Sequence, residues 1–353
     1  MTTRAPVRVL VVDDSALMRA ALVRAFEGES DIQVVGTAGD AYAARDLLVE
    51  LRPDVITLDI DLPRMDGLAF LQRFMAVLPT PTVVISGLTE EGKRLALDCL
   101  DAGAVSVLPK PTLRLGADGT VRMPGVCSAV RAAAAARLPA MTSSKRSARR
   151  PRPRSGLSRA AELVVMGAST GGVQALSRVL RDLPEDMPPV LVVQHMPTGF
   201  SASFARRLDG LSALEVAEAR DGELLRPGRV LVAPSGSDRH MELRRVEQGL
   251  VAALVPGPAV SGHRPSVDVL FRSAARVVGA GSVGVLMTGM GRDGAEGLFA
   301  MRQAGGRCFA QDEASSVVYG MPGAAARLGA VDEQLSVEAI APRLQAWLQT
   351  RLR

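Results

Sequence analysis

The sequence contains few of the residues that most often carry chemistry or cross-links: 3% of its 353 residues are aromatic, and it has three cysteines and three histidines. Cys99, Cys127 and Cys308 are odd in number, far apart and without the spacing of metal ligands, which is typical of a reducing compartment. We therefore expect a cytoplasmic protein. With so few aromatic residues, the hydrophobic cores must consist of Val, Leu, Ala, Ile and Met.

Long hydrophobic runs are also absent. No apolar run approaches the ~18 residues that span a membrane, and the run Val9–Val12 is too short for the core of a signal peptide. An apolar fraction of 47% and a charged fraction of 22% are those of a globular protein. For this length we expect about two domains and no membrane insertion.

The formal charge of +5 suggests a nucleic-acid partner, but its location argues against one. Ten basic residues and no acidic ones lie between residues 122 and 159, and without them acidic residues outnumber basic ones. Within this segment the stretch Thr142–Arg159 is rich in Arg, Ser and Pro and has no apolar periodicity. We therefore expect a basic linker and no nucleic-acid binding.

Residues 7–112 alternate apolar runs with amphipathic segments such as Leu17–Phe26 and Ala41–Leu51. This alternation predicts a parallel sheet with helices on both faces, and ligands at the carboxyl ends of its strands. A last helix is predicted from about Val126 to Leu138. The predicted strands are Val7–Val12, Ile32–Thr37, Asp54–Leu58, Thr82–Ile85 and Val105–Leu108.

Five polar residues follow four of these strands: Asp13, Asp14, Asp59, Ser86 and Lys110. In a parallel sheet these strand ends converge, so the three carboxylates would repel one another and favour a Mg²⁺ ion. A carboxylate beside Mg²⁺ and a lysine can accept a phosphoryl group, to which the serine can then hydrogen-bond. Each residue alone would more often be a helix cap or a turn former. All five together favour a phosphoacceptor site.

A second α/β pattern begins at Glu162, so that the fold class is two doubly wound parallel-sheet domains joined by a basic linker. We place the first domain at residues 1–125, the helix end and linker at 126–160, and the second domain at 161–353. The predicted strands of the second domain are Leu163–Met166, Val190–Val193, Val230–Ala233 and Val283–Met287.

The second domain opens with a glycine-rich turn that contains Ser169. Gly167 to Gly171 have the spacing G-x-S-x-G between a predicted strand and a predicted helix, which is typical of a nucleophile elbow. A glycine-rich strand–helix turn can equally cradle a phosphate. On this motif alone the two interpretations are balanced.

The histidines favour the nucleophile. His195 directly follows the strand at Val190–Val193 and should emerge beside Ser169, where it can serve as a general base. Asp293 lies in a glycine-rich loop after another predicted strand and could orient that histidine. Metal binding by Asp293 is weakly supported, because Glu296 is the one acidic residue at ligand spacing. His240 and His263 lie in polar stretches and are predicted to be structural or peripheral.

Residues 7–112 resemble the flavodoxin-like receiver domain of two-component response regulators. The resemblance implies that Asp59 is phosphorylated, that Asp13 and Asp14 join it in binding Mg²⁺, and that Ser86 and Lys110 sense the phosphate. The chain departs from many receivers in having no aromatic switch residue between positions 86 and 110. The matching motifs are VVDDS (Val11–Ser15), LDIDLPRMDG (Leu58–Gly67), VISG (Val84–Gly87) and LPKP (Leu108–Pro111).

Residues 161–347 resemble the catalytic domain of the chemotaxis protein-glutamate methylesterase family, whose receiver–linker–esterase plan the whole chain shares. The resemblance implies a serine hydrolase with Ser169 as nucleophile, His195 as base and Asp293 as orienting acid. The backbone at Thr170 and Met290 would contribute to the oxyanion site. The matching motifs are GASTGG (Gly167–Gly172), QHMP (Gln194–Pro197), APSG (Ala233–Gly236), HRPSVDVLF (His263–Phe271) and TGMGRDG (Thr288–Gly294).

This resemblance implies hydrolysis of glutamyl methyl esters on chemoreceptors, deamidation of receptor glutamines, and no cofactor for either reaction. The chemotaxis histidine kinase would phosphorylate Asp59, which would relieve a block of the esterase by the receiver. Two alternatives stay open. The esterase could act on another signalling protein, or the receiver could control a non-enzymatic output, against which the absence of a helix-turn-helix pattern argues.

Overall fold

A computed structural model describes residues 5–87, 89–110, 123–137 and 162–350. The chain divides into two compact units, Met1–Met141 and Thr142–Arg353. The predicted linker Thr142–Arg159 lies outside the described residues, as does Pro111 of the LPKP motif. Within the described ranges, no helix combines the length and hydropathy that crossing a bilayer requires.

The first unit is a five-stranded sheet in the order β2-β1-β3-β4-β5, all of whose neighbouring strands run parallel. All residues of β3 and β4 are buried, as expected of a sheet that is covered on both faces. The elements are β1 (Val7–Val12), α1 (Ala16–Glu27), β2 (Ile32–Ala38), α2 (Ala41–Leu51), β3 (Val55–Asp59), α3 (Gly67–Val77), β4 (Thr82–Ser86), α4 (Glu90–Asp101), β5 (Ser106–Pro109) and α5 (Pro124–Ala134).

The starts of the helices α1 to α4 are fixed by side-chain caps. The Ser15 hydroxyl accepts a hydrogen bond from the N–H of Met18, and Asp66 accepts one from Ala69.

Helix α5 crosses the boundary that we placed at residue 125. Its residues Val126 and Val130 are buried in the core of the first unit, to which the helix therefore belongs.

The second unit contains a seven-stranded parallel sheet in the order β15-β14-β13-β6-β7-β10-β8, so the predicted class of two doubly wound domains is confirmed. The four predicted strands are β6, β7, β10 and β13. The elements of this sheet and its helices are β6 (Leu163–Ala168), α6 (Gly172–Arg181), β7 (Val190–Gln194), α7 (Ser201–Leu211), β8 (Glu215–Glu218), β10 (Arg229–Val232), α8 (Val267–Val277), β13 (Ser282–Leu286), α9 (Ala295–Gln303), β14 (Arg307–Gln311), α10 (Met321–Arg327), β15 (Glu333–Leu335) and α11 (Val337–Thr350).

A three-stranded antiparallel sheet accompanies the parallel one and was not predicted. It consists of β9 (Glu223–Leu224), β11 (Arg239–Val246) and β12 (Gly249–Pro256) in the order β11-β12-β9. Met241 and Leu243 of β11 are fully buried and join one hydrophobic cluster with Leu270 and Phe271 of α8. The small sheet thereby fixes the position of α8, whose first turn reaches the candidate site.

Candidate active site

Ser169 lies in the turn between β6 and α6, as the glycine pattern predicted. Gly171 adopts a φ of +78°, which favours glycine, and an added Cβ there would lie 2.6 Å from Val317. The backbone N–H of Ser169 donates to the carbonyl of Thr288 at 3.0 Å, and Gly172 donates to the carbonyl of Ser169 at 2.8 Å. The serine is half-buried at the carboxyl end of a central strand.

His195 lies at the neighbouring strand end. Ala168 and Gln194 are paired at the ends of β6 and β7, so Ser169 and His195 are the next residues along two adjacent strands. The N–H of His195 donates to the carbonyl of Ala168 at 3.0 Å, and the Gln194 amide donates to the carbonyl of Ser169 at 2.8 Å. In the described part of the chain no hydrogen bond joins the Ser169 hydroxyl to His195, so the structure brings the two residues to one edge without closing that contact.

Asp293 does contact His195. Its Oδ2 lies 2.8 Å from Nε2 of the imidazole, and the carboxylate is 1% exposed. Burial by itself raises the pKa of Asp293, but hydrogen bonds from His195, Ser266 and Val267 outweigh it and hold the pKa below its ordinary value. Asp293 is therefore a carboxylate that accepts from Nε2–H, which leaves the lone pair of the neutral ring on Nδ1.

Nδ1 of His195 is buried and has no hydrogen-bond partner among the described residues. One face of the His195 ring is covered by His263, whose imidazole stacks on it with a centroid distance of 3.7 Å and an interplanar angle of 7°. Burial, and then the neighbouring His195, lower the pKa of His263 to about 4. His263 is therefore a neutral ring stacked on the candidate base, which fits the structural one of the two roles, structural or peripheral, that the sequence suggested.

Ser266 was missed in the sequence, and it is supported by His240, which was predicted to be structural or peripheral. The Ser266 hydroxyl donates to Oδ1 of Asp293 at 2.7 Å, and the Ser266 N–H donates to Nδ1 of His240 at 3.2 Å. His240 lies within β11, not in a polar loop, and its Nε2 is 2.8 Å from the carbonyl of Pro258. The HRPSVDVLF motif was the available signal, because both His263 and Ser266 belong to it.

Thr170 and Met290 supply the candidate oxyanion donors. The N–H of Ser169 is already bound to Thr288, whereas those of Thr170 and Met290 donate to no acceptor within the described ranges. The Thr288 hydroxyl donates to the carbonyl of Thr170 at 2.9 Å and accepts from the N–H of Val318 at 3.0 Å. Thr288 thus couples the Ser169 turn to the loop that carries Met290.

The acidic residues of the first unit also converge as predicted. Ligand atoms of Asp13, Asp14 and Asp59 lie within 4.8 Å of one another, the one such group of three in the part of the chain that the structure describes. Glu296 therefore belongs to no comparable cluster. Burial, and next the charge of Asp59, raise the pKa of Asp13 to about 6, and its Oδ2 is buried without a partner. This crowding and the unpaired oxygen fit a hard divalent cation.

Lys110 and Ser86 lie beside this cluster. The Lys110 ammonium lies 2.7 Å from Oδ2 of Asp59, which is fully buried. Burial raises the pKa of Asp59 despite that hydrogen bond. The Ser86 hydroxyl is 3.3 Å from the carbonyls of Gly87 and Gly92 and is not bound to Asp59.

Comparisons with known proteins match both units of the chain to described families. The family description "CheB methylesterase" matches residues 164–344, and "Response regulator receiver domain" matches residues 9–115. A curated relative from Dechloromonas aromatica, protein-glutamate methylesterase/protein-glutamine glutaminase 1, is 48% identical over 96% of this chain and 97% of its own length. One from Syntrophotalea carbinolica, protein-glutamate methylesterase/protein-glutamine glutaminase, is 45% identical over 98% of each chain.

A solved structure covers the second unit. The Thermotoga maritima CheB methylesterase catalytic domain is 37% identical and superimposes with a TM-score of 0.51, covering 53% of this chain and 98% of its own. The match extends over the parallel sheet that positions Ser169, His195 and Asp293, so the alternative of a non-enzymatic output domain is not supported. The chain belongs to the CheB methylesterase family and carries a response-regulator receiver domain ahead of its hydrolase domain.

Proposed function

We propose that this chain is a phosphorylation-activated protein-glutamate methylesterase that acts on the cytoplasmic regions of chemoreceptors. The observation that carries the proposal is the 2.8 Å contact of His195 Nε2 with the buried Asp293 carboxylate. That contact fixes the tautomer and leaves Nδ1, at the strand end next to Ser169, as the free base. The substrate class, a methylated glutamate or a glutamine of a protein, follows from the names of the curated relatives, and the choice of chemoreceptors follows from the family resemblance.

The chemistry follows from these positions. Nδ1 of His195 takes the hydroxyl proton as Ser169 Oγ attacks the ester carbonyl, and Asp293 stabilises the imidazolium that results. The imidazolium then gives its proton to the departing methoxide, so methanol leaves and a glutamyl ester of Ser169 remains. Water attacks this ester by the same route and releases the glutamate side chain and the free serine.

The oxyanion of each tetrahedral intermediate needs donors that the fold does not already use. We assign this role to the N–H groups of Thr170 and Met290, because the N–H of Ser169 is bound to Thr288. The start of α6 adds a favourable helix dipole on the same side. A glutamine amide can enter the same cycle with ammonia as the leaving group, so we also assign the deamidase activity that the relatives' names include.

The receiver would control this reaction through Asp59. We propose that Asp59 accepts a phosphoryl group from the chemotaxis histidine kinase and that Asp13, Asp14 and Asp59 hold Mg²⁺. The ion, when bound, neutralises part of the charge of the carboxylates and of the phosphoryl oxygens. Lys110, already 2.7 Å from Asp59, would pair with the phosphoryl group, and Ser86 would donate a hydrogen bond to it.

The test is methanol release from receptor membranes that carry methylated glutamates. We expect Ser169→Ala to lower turnover by at least ~10³-fold, because the nucleophile is lost while the fold is kept. Ser177→Ala is the matched control: its hydroxyl is buried in α6, the helix that follows Ser169, and donates to the carbonyl of Val173. Substantial turnover by Ser169→Ala, or equal losses in both variants, would refute the assignment.

A further inference from the structure

The helices α8 and α9 begin without caps of their own. Ser266 precedes α8 and Gly294 precedes α9, and neither offers a side-chain hydrogen bond to its own helix. The first turn of a helix has N–H groups that need acceptors, above all when the turn is buried. For each of the two helices, the acceptor is an aspartate that lies in or just before the first turn of the other helix.

Asp293 directly precedes Gly294, the N-cap residue of α9, and its carboxylate caps the other helix, α8. Its Oδ2 accepts from the N–H of Val267 at 2.8 Å, and its Oδ1 accepts from the N–H of Asp268 at 3.1 Å. The Ser266 hydroxyl donates to the same Oδ1 at 2.7 Å. The carboxylate that holds His195 is thus held itself by the first turn of α8.

Asp268, in the first turn of α8, caps α9 in return. Its Oδ1 accepts from the N–H of Gly297 at 2.7 Å, its Oδ2 lies 3.4 Å from the Ser261 hydroxyl, and the residue is 2% exposed. Burial raises the pKa of Asp268, and the hydrogen bond from Gly297 opposes that rise. The two aspartates therefore exchange caps between the two helices.

Glycines bring these helix starts into direct contact. An added Cβ at Gly297 would lie 2.9 Å from the carbonyl oxygen of Asp268, and one at Gly294 would lie 2.6 Å from Val267. Val267 also contacts Gly167, two residues before Ser169, where an added Cβ would lie 2.2 Å from its side chain. A shift of α9 against α8 would therefore move Asp293 relative to both Ser169 and His195.

We propose that Asp268 is a positioning residue of the esterase site, which holds Asp293 in hydrogen-bonding range of His195 through this exchange of helix caps. Asp268 touches none of the three catalytic residues through its own side chain, and the bond that its carboxylate makes to Gly297 fixes the turn that follows Asp293. The expected loss of kcat rests on the proposed function, whereas the positioning of Asp293 by Asp268 does not.

The experiment compares Asp268→Ala with Asp268→Asn and Asp332→Ala in the full chain. Asp268→Ala should lower kcat by about 10–100-fold with KM little changed, as expected when a catalytic group is displaced by about 1 Å. Asp268→Asn keeps an oxygen acceptor for Gly297 and should restore most of kcat. Asp332→Ala removes a comparable backbone contact, in which the carboxylate accepts from the N–H of Cys308 in β14 at 2.8 Å, and should lower stability without lowering kcat.

A spectroscopic measurement is independent of turnover. The chain has three histidines, so ¹⁵N-histidine labelling, together with variants in which one histidine at a time is replaced, assigns the Nε2–H resonance of His195. We expect this low-field, exchange-protected signal in the wild type and in Asp332→Ala, and its loss or upfield shift in Asp268→Ala. Should Asp268→Ala fail to fold, Asp268→Glu displaces the same carboxylate by one methylene and takes its place.

The proposal is overturned if Asp268→Ala and Asp332→Ala share the same kcat and the same His195 signal. It is also overturned if Asp268→Asn is as impaired as Asp268→Ala, because the acceptor would then not be the property that matters. Failure of the proposed function is seen separately, as full methanol release by Ser169→Ala. The His195 resonance tests Asp268 even in that case.

Discussion

Two buried aspartates of this chain show how the surrounding donors decide what a carboxylate can do. Asp293 accepts from His195, Ser266 and two backbone N–H groups, and its pKa lies below the ordinary value. Asp13 accepts from the N–H of Ser15 and has one buried oxygen without a partner, and its pKa is raised to about 6. The fold satisfies Asp293 with donors, whereas Asp13 keeps one buried oxygen without a partner among the described residues.

We predict that Asp13→Asn stabilises the cation-free receiver at pH 7. The pKa of this carboxyl is about 6 in the folded protein and 3.8 when free, so its ionisation opposes folding. The resulting loss of stability develops as the pH rises from 3.8 through 6, and it is absent below pH 3.8. The gain should be on the order of 1–3 kcal/mol. Urea unfolding with and without Mg²⁺ measures it, and Mg²⁺ should stabilise the wild type but not the variant. Exposed Asp46→Asn is the control; equal Mg²⁺ effects in all three proteins would contradict the site.

His263 provides a second, opposite dependence on pH. Its pKa is 6.5 in a free chain and about 4 in the folded protein, so the unfolded state binds the proton more readily. The stabilisation due to the neutral ring is complete above 6.5 and is lost as the pH falls from 6.5 to 4, by on the order of 1–3 kcal/mol. Denaturation of wild type and His263→Gln at pH 7 and pH 5 measures the difference. Parallel losses in the two proteins would show that His263 is not held neutral.

The sequence located the three candidate catalytic residues better than the side chains that support them. Ser169, His195 and Asp293 each follow a strand, and strand ends of a parallel sheet converge, so a one-dimensional pattern located them. Ser266, His240 and His263 reach the site from β11 and from the segment that leads into α8. Their contacts depend on tertiary packing, for which hydrophobic periodicity gives no signal.

Among the elements, the strands β6, β7, β10 and β13 were predictable because each is a short, nearly continuous apolar run that is buried on both faces. The antiparallel strand β11 was missed, because its sequence RHMELRRV carries four charged residues and its last three residues are exposed. A strand that is half exposed resembles a polar loop unless its alternation is followed residue by residue.

We predict that the close packing of the β13 loop on the Ser169 turn tolerates no side chain at Gly289. An added Cβ would lie 2.3 Å from the sulfur of Met321 and 2.7 Å from Cβ of Ser169. Gly289→Ala should therefore lower kcat by about 100-fold, by displacing the nucleophile, with a stability loss of about 1–3 kcal/mol. Methanol release and thermal unfolding measure the two effects.

Gly210→Ala is the matched control for this substitution. Gly210 lies within α7, and an added Cβ there meets nothing within 4 Å. Alanine should be neutral or stabilising in that helix, by up to about 1 kcal/mol. A Gly289→Ala enzyme that is as active as Gly210→Ala would show that the turn can move aside without affecting Ser169.

For the whole molecule, one unit carries the acidic cluster of a receiver domain and the other is the CheB methylesterase domain. We predict that Asp59→Ala in the full chain abolishes the rise in esterase activity that a phosphodonor produces, while activity without phosphodonor is unchanged. Methanol release with and without a small acyl phosphate measures it, with Asp46→Ala as the control. Equal stimulation of Asp59→Ala and wild type would contradict control through Asp59.

The pairing of Ala168 with Gln194 constrains how this enzyme can change in evolution. Because Ser169 and His195 each follow a register-fixed pair by one residue, an insertion or deletion in β6 or β7 would offset them by about 3.3 Å and reverse the side-chain direction. The hairpin turn between β11 and β12 has no such restriction. Length variation among descendants of this chain should therefore accumulate in that hairpin and remain absent from the two central strands.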